Sequence, residues 1–237
     1  MLTSFIWNKT DTSDNRIVSV SKQIAVWRKV NRRMRWRIPD EEFEAISETP
    51  NLTDTDIRDG FSGVILSYGF GDDGQGNADT VLSGKLAWDY AVKKWGKSQT
   101  WQCEYVDFTQ TDHFRLRPDA APRPKGFYFA KFRFAEYFPS ITVAKFRKQM
   151  IGDTGCGPEG IQLLTITHRH LADLMNAGNL LFMAFADYDV APYGFNDFFD
   201  ALQMFCSVDK LGLGIGNVDR NYPLFGIPTL RFEGCSR

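Results

Sequence analysis

Cysteine is scarce in this chain. Its four cysteines, at 103, 156, 206 and 235, include no C-x-x-C pair, so no dense disulfide framework is encoded. Histidine is scarcer still, with three in 237 residues. No apolar run approaches the roughly 20 residues that span a bilayer; the longest is Leu180-Leu181-Phe182-Met183-Ala184-Phe185-Ala186. Near the start, Phe5-Ile6-Trp7 gives way at once to Asn8-Lys9-Thr10-Asp11, whereas a secretory leader needs about 7–15 apolar residues. Charge of one sign is lacking too. The 28 basic and 29 acidic residues leave a net charge of −1, which excludes a global electrostatic affinity for nucleic acid or anionic membrane but leaves room for a local patch. These absences predict a soluble, cytoplasmic chain with free thiols, no membrane contact and no cofactor motif.

What is present is ordinary for a folded chain. Hydrophobic residues make up 43% and charged residues 24%, which excludes disorder and collagen-like structure. A chain of this length buries enough surface to need no disulfide or structural metal. The proline-rich stretch 116–126 is the best linker candidate. It divides the chain into portions 1–120 and 121–237, or else forms a long loop within one continuous domain.

Ile17, Val20, Ile24, Trp27 and Met34 fall on one helical stripe over 16–37, with Asp14 or Asn15 as cap and Pro39 as stop. A second, acidic helix is predicted over 40–48. A buried strand follows over 61–70, then a Gly/Asp loop over 71–79, a helix over 85–95 and a strand over 101–108. Beyond 120 the pattern gives a strand at 127–134, a helix at 142–150 and one broken or two consecutive helices at 159–177. Strands at 180–187, 201–206, 211–216 and 227–232 complete the chain, with Ser207-Val208-Asp209-Lys210 as a hairpin. The fold class is therefore α+β: a helix-rich N-terminal portion and a C-terminal antiparallel β-meander packed against helices.

The sharpest functional signal lies at 22–37. Lys22, Arg28, Lys29, Arg32, Arg33, Arg35 and Arg37 occur there without one acid, and Trp27 and Trp36 lie among them. Cations interleaved with aromatics suit phosphate neutralisation and base stacking. Residues 40–59 oppose them with Asp40, Glu41, Glu42, Glu44, Glu48, Asp54, Asp56 and Asp59 against Arg58 alone. If the second helix folds back on the first, these charges pair and no phosphate footprint survives. Trp27 also belongs to the apolar stripe, which places it in the core.

Two glycine-rich segments carry weaker signals. In the loop after the first strand, Asp73, Asn77 and Asp79 present oxygens at alternating positions, as calcium loops do. The twelfth position counted from Asp73 is Gly84 rather than an acid, so the calcium pattern fails and a turn is expected. In 211–216, Leu211, Leu213 and Ile215 share one face of a strand and Gly212, Gly214 and Gly216 the other. That bare face admits a ring or another backbone at close range.

Candidate catalytic residues lie in the second half. Cys156 precedes a predicted helix start, where a thiol pKa falls, but a continuous helix of ten residues spans about 15 Å and keeps His168 away from it. His168 and His170 at i, i+2 point apart on a helix, and Asp187 and Asp189 supply carboxylates. Aromatics around the 192–194 turn are candidates to line a groove. Because every catalytic constellation fails on spacing or register, the expectation is a binding or interaction protein. Its partner is nucleic acid or an acidic protein, contacted through 22–37. The alternative is a hydrolase-like enzyme with a His/Asp site, metal-assisted or not.

Overall fold

The helix expected over 16–37 forms over most of its length: α1 spans Val20–Met34 and buries Val20, Gln23, Trp27 and Val30. It starts four residues late because Ser19 is extended at its N-cap (ψ 149), and Asp14 holds Arg16 through a 2.8 Å ion pair instead of capping. The computed structural model describes residues 14–46, 49–134, 141–149, 153–191, 198, 200–207, 210–222 and 224–232. The apolar triplet 5–7 and the 192–194 turn lie outside them.

Short helices α2 (Asp40–Glu44) and α3 (Asp54–Arg58) follow, the latter fixed by a reciprocal Thr53–Asp56 capping box. Next come β1 (Gly63–Gly69) and α4 (Thr80–Trp95). Helix α4 begins five residues before the predicted Lys85 because Asp79 caps it, accepting from Leu82 N at 2.9 Å. Strand β2 is only Thr100–Gln102, since the Gln102 side chain turns onto Trp88 Nε1 and the Val106 carbonyl and ends the extended run. Then come β3 (Phe114–Leu116), β4 (Gly126–Arg133), α5 (Val143–Gln149) and β5 (Thr154–Gly155). The predicted broken helix is α6 (Pro158–Gln162), a π-helical turn Leu163–Thr167, a break at His168, and α7 (His170–Asn176). Strands β6 (Phe182–Val190), β7 (Asp200–Ser207), β8 (Lys210–Asn217), β9 (Phe225–Gly226) and β10 (Thr229–Phe232) complete the order.

The fold is α+β, with two sheets. The first runs β1-β4-β10-β5, all antiparallel. The second runs β2-β8-β7-β6-β3, with β9 also paired to β6. Strands β6, β7 and β8 form the expected antiparallel meander. The segment 227–232 does not extend it: its strand, β10, crosses into the first sheet between β4 and β5, while β9, just before that segment, joins β6 in parallel. Both sheets draw strands from the two sides of residue 120. Among the described residues no helix is long and apolar enough to cross a membrane.

Sheet edges expose unpaired backbone groups that water or side chains must satisfy. The edge of β1 that does not face β4 is sealed by side chains. Gln23 accepts from Leu66 N (2.8 Å) and donates to Val64 O (2.8 Å). Trp27 Nε1 donates to Leu66 O (3.0 Å), Gln162 bonds both Tyr68 N and O, and Ser83 accepts from Phe70 N. Polar residues thus sit in the core because each replaces a missing strand partner.

Helix α4 packs on β1 of one sheet and on β2 and β3 of the other, and one large apolar cluster joins them. The sheets touch where β5 meets β6. A Cβ on Gly155 would lie 2.7 Å from Ala186 Cβ, so only glycine lets these strands approach. A separate cluster seats Val143 and Phe146 of α5 on Ala184, Ala186 and Ala201, covering one end of the second sheet's outer face.

Candidate nucleic-acid interface

At its C-terminal end α1 is turned back by two left-handed residues, Arg35 (φ 58) and Arg37 (φ 62). Non-glycine residues adopt this region at a cost of order 1–3 kcal/mol each unless the surroundings hold them. Asn31 supplies that hold: its amide donates to Ile38 O (2.8 Å) and its carbonyl accepts from Ile38 N (3.1 Å). Between the two arginines, Trp36 packs inward on Phe70 (centroids 5.1 Å), Trp27 (6.0 Å) and Tyr90 (6.4 Å). Both tryptophans of the basic segment therefore belong to the core, Trp27 wholly and Trp36 partly. Arg35 and Arg37 remain exposed on either side.

The seven cations are placed unequally. Arg28 is half-buried, stacked over Phe43 at 4.7 Å and paired with Asp40 at 3.4 Å. Lys22, Lys29, Arg32, Arg33, Arg35 and Arg37 are exposed, and none forms an ion pair with a described residue. Among the described residues, ion pairing between 22–37 and 40–59 is limited to this one contact, and three acids of that stretch are engaged by other partners. Glu42 accepts from Tyr68 Oη. Asp56 takes Lys131 Nζ (2.8 Å) and Arg231 Nη1 (3.2 Å), and Asp59 takes Arg231 (3.1 Å). Burial raises the Asp56 pKa, but hydrogen bonds from Lys131 and Thr53 outweigh it and hold the carboxyl at about 2.

The C-terminal end of α4 extends the cationic margin. Lys93, Lys94 and Lys97 are exposed. Lys94 Nζ lies 5.5 Å from the Tyr90 ring, which touches Trp36, and Arg169 sits over Trp95 at 4.7 Å. Sequence reasoning passed over these lysines because cations in a last helical turn ordinarily complement the helix dipole. Their adjacency to α1 is set by the Trp36–Tyr90 contact, which sequence spacing does not carry.

The weaker candidates are engaged in local structure. Asp73 accepts from the backbone of Gln75 and Asn77 and from the Asn77 amide, while Asp79 caps α4. Among the described residues no three His, Cys, Asp or Glu side chains assemble to hold a metal ion. The helical expectation that points His168 and His170 apart is corrected: the break at His168 brings the rings to 5.9 Å. Both rings bind the segment before α1. His168 Nε2 accepts from Val18 N (3.0 Å) and His170 Nε2 donates to Arg16 O (2.8 Å). Burial, with a smaller contribution from His170, pushes the His168 pKa down to about 3, so the ring is neutral. No hydrogen bond or ion pair links either histidine to Asp187 or Asp189.

Those aspartates belong to a buried ionic network between the sheets. Arg123, from the stretch that reads as a linker, is fully buried and donates to Glu159 (Nε to Oε1, 2.7 Å), Asp187 (Nη2 to Oδ2, 3.0 Å) and Gly155 O (3.1 Å). Tyr128 Oη and Gly157 N complete Glu159, and Gly155 N and Thr154 Oγ1 complete Asp187. Asp189 pairs with Arg147 (2.9 Å) and Arg115 (3.4 Å). Cys156 is buried beside them; burial and then Glu159 push its thiol pKa well up, opposite to the expected effect of a helix start. Buried carboxylates paired in this way tie the elements that carry them together. Of the groove aromatics near 192–194, Tyr193, Phe195 and Phe199 fall outside the described residues, Tyr188 is fully buried, and Phe198 lies under the Arg115 guanidinium at 3.7 Å.

Comparison with known proteins finds no matching family model, no matching curated sequence and no matching solved structure.

Proposed function

We propose that the protein is a binding protein that contacts nucleic acid through the cationic margin of α1. One observation carries this reading: six exposed cations of 22–37 have no ion pair with a described residue, while most neighbouring acids that pair do so with sheet cations. Six such charges on one short segment of a chain with net charge −1 form a local anion-binding field. Phosphates neutralised there release counterions, which gives affinity without base specificity. The rigid Asn31–Ile38 clamp fixes where Arg35 and Arg37 present their guanidinium groups. The lysines ending α4 widen the same field.

Charge reversal tests the reading. Arg32→Glu with Arg33→Glu is expected to weaken binding of a labelled oligonucleotide in a mobility-shift assay at least tenfold at low salt. Both side chains are exposed, so the melting temperature should hardly move. Unchanged binding in this variant contradicts the proposal, as does wild-type protein that binds no oligonucleotide.

A further inference from the structure

The outer face of the second sheet carries a row of partly exposed aromatics, of which Phe182 and Phe225 rest on the margins of the two apolar clusters. Register aligns Trp101 with Gly212, Gly212 with Phe205, and Phe182 with Phe225. The Met183–Met204 pair puts Phe182 opposite Phe205. Across the five neighbouring strands β2, β8, β7, β6 and β9 the row therefore reads Trp101, Gly212, Phe205, Phe182, Phe225. Ring centroids follow it at 5.6 Å (Trp101–Phe205), 5.9 Å (Phe205–Phe182) and 5.2 Å (Phe182–Phe225). The inward residues of β7 and β8, among them Met204, Leu211 and Leu213, already fill the large core.

Gly212 makes the row continuous. A Cβ there would lie 2.4 Å from Phe205, so the missing side chain is what lets the Trp101 and Phe205 rings meet above the strand. Helix α5 covers only the other end of this face. Trp101 is 47% exposed, and Phe205, Phe182 and Phe225 are each partly exposed.

Charge selects the occupant. The transverse row beside the rings carries Ser207 and exposed Lys210, paired across β7 and β8 on the same face. At the other side the row begins next to the cationic end of α4. Gln99 N and Thr100 Oγ1 both donate to Gly96 O (3.1 and 2.9 Å), so a single tight turn separates Lys93, Lys94 and Lys97 from Trp101. An occupant that presents flat rings and repeating negative charge fits both features, and a duplex, whose bases are already stacked inside, does not.

We infer that this aromatic row is a stacking platform for the bases of single-stranded nucleic acid, with its phosphates on the α4 and α1 cations. The inference rests on the proposed nucleic-acid reading and narrows it to unpaired strands. Fluorescence anisotropy with labelled dT20, U20 and a matched DNA duplex tests it on the full chain. Wild type is expected to prefer a single strand, and the dT20 and U20 arms tell DNA from RNA. Trp101→Ala should weaken single-strand binding roughly tenfold or more and leave duplex binding and melting temperature unchanged. Trp101→Phe, which keeps a ring, should retain most of the affinity, so a fold defect is separable from lost stacking. If Trp101→Ala binds single strands within twofold of wild type while the Arg32→Glu, Arg33→Glu variant has lost binding, the platform is overturned and the cationic reading stands. If wild type binds none of the three, both fall.

Discussion

Removing Arg123 should be among the most damaging single changes available to this fold. Its guanidinium is fully buried and its Nε and Nη2 engage Glu159, Asp187 and Gly155 O at 2.7–3.1 Å. Arg123→Met keeps the apolar stem and deletes the charge. Asp187 then retains Arg117 Nη2 at 3.9 Å, but Glu159 is left with only Tyr128 Oη and Gly157 N. Breaking a buried pair from one side costs about 3–5 kcal/mol, a large part of the roughly 5–15 kcal/mol that a domain has. Urea unfolding followed by circular dichroism measures the loss. A cycle with Glu159→Gln identifies its source: in the Arg123→Met background the second change removes the stranded charge. The double variant should therefore be more stable than the sum of the single losses predicts by about 1–3 kcal/mol. A loss below 1 kcal/mol, or strict additivity, would refute the view that this network ties the sheets together.

Two other outcomes follow from the buried polar groups. His168 has its folded pKa depressed from 6.5 to about 3, so the unfolded chain binds the extra proton and stability must fall as pH drops below about 6.5. Between pH 7 and pH 5 the loss should be about 2 kcal/mol and should vanish in His168→Gln; urea midpoints at both pH values check this, and a wild type equally stable at both would contradict it. The same sign holds for Asp56, whose contribution persists until pH falls below about 3.8. Gln23→Leu strips β1 of partners for Leu66 N and Val64 O and should cost about 2–4 kcal/mol by urea unfolding. A cost near zero would mean that the edge of β1 does not depend on its side-chain seal.

Element type was legible in the sequence wherever local chemistry decides it. The α1 stripe, the glycine-bounded β1, the break within 159–177 and the β6–β8 meander all declare themselves by period, caps and turns. Pairing between distant segments is not written in any local pattern, which is why the crossing of β10 into the first sheet escaped prediction. Arg123 illustrates the same limit: prolines on both sides read as a spacer, yet they fix a buried arginine whose partners lie 36 and 64 residues on. The basic segment was visible as composition, but whether the acids after it cancel its charge depends on α3 docking against Lys131 and Arg231. The glycine face of β8 was visible as well, and the ring that fills it proves to be Phe205, from the strand beside it.

The most direct test of the nucleic-acid reading is the salt dependence of oligonucleotide affinity for the wild-type protein, measured by anisotropy between 50 and 200 mM NaCl. If about three to six cations of the margin neutralise phosphates, the logarithm of affinity should fall against the logarithm of salt with a slope of about −2 to −4 on a single strand. The slope should become shallower by about 1.4 or more in the Arg32→Glu, Arg33→Glu variant. A flat wild-type profile, or no measurable binding at 50 mM, would contradict the account.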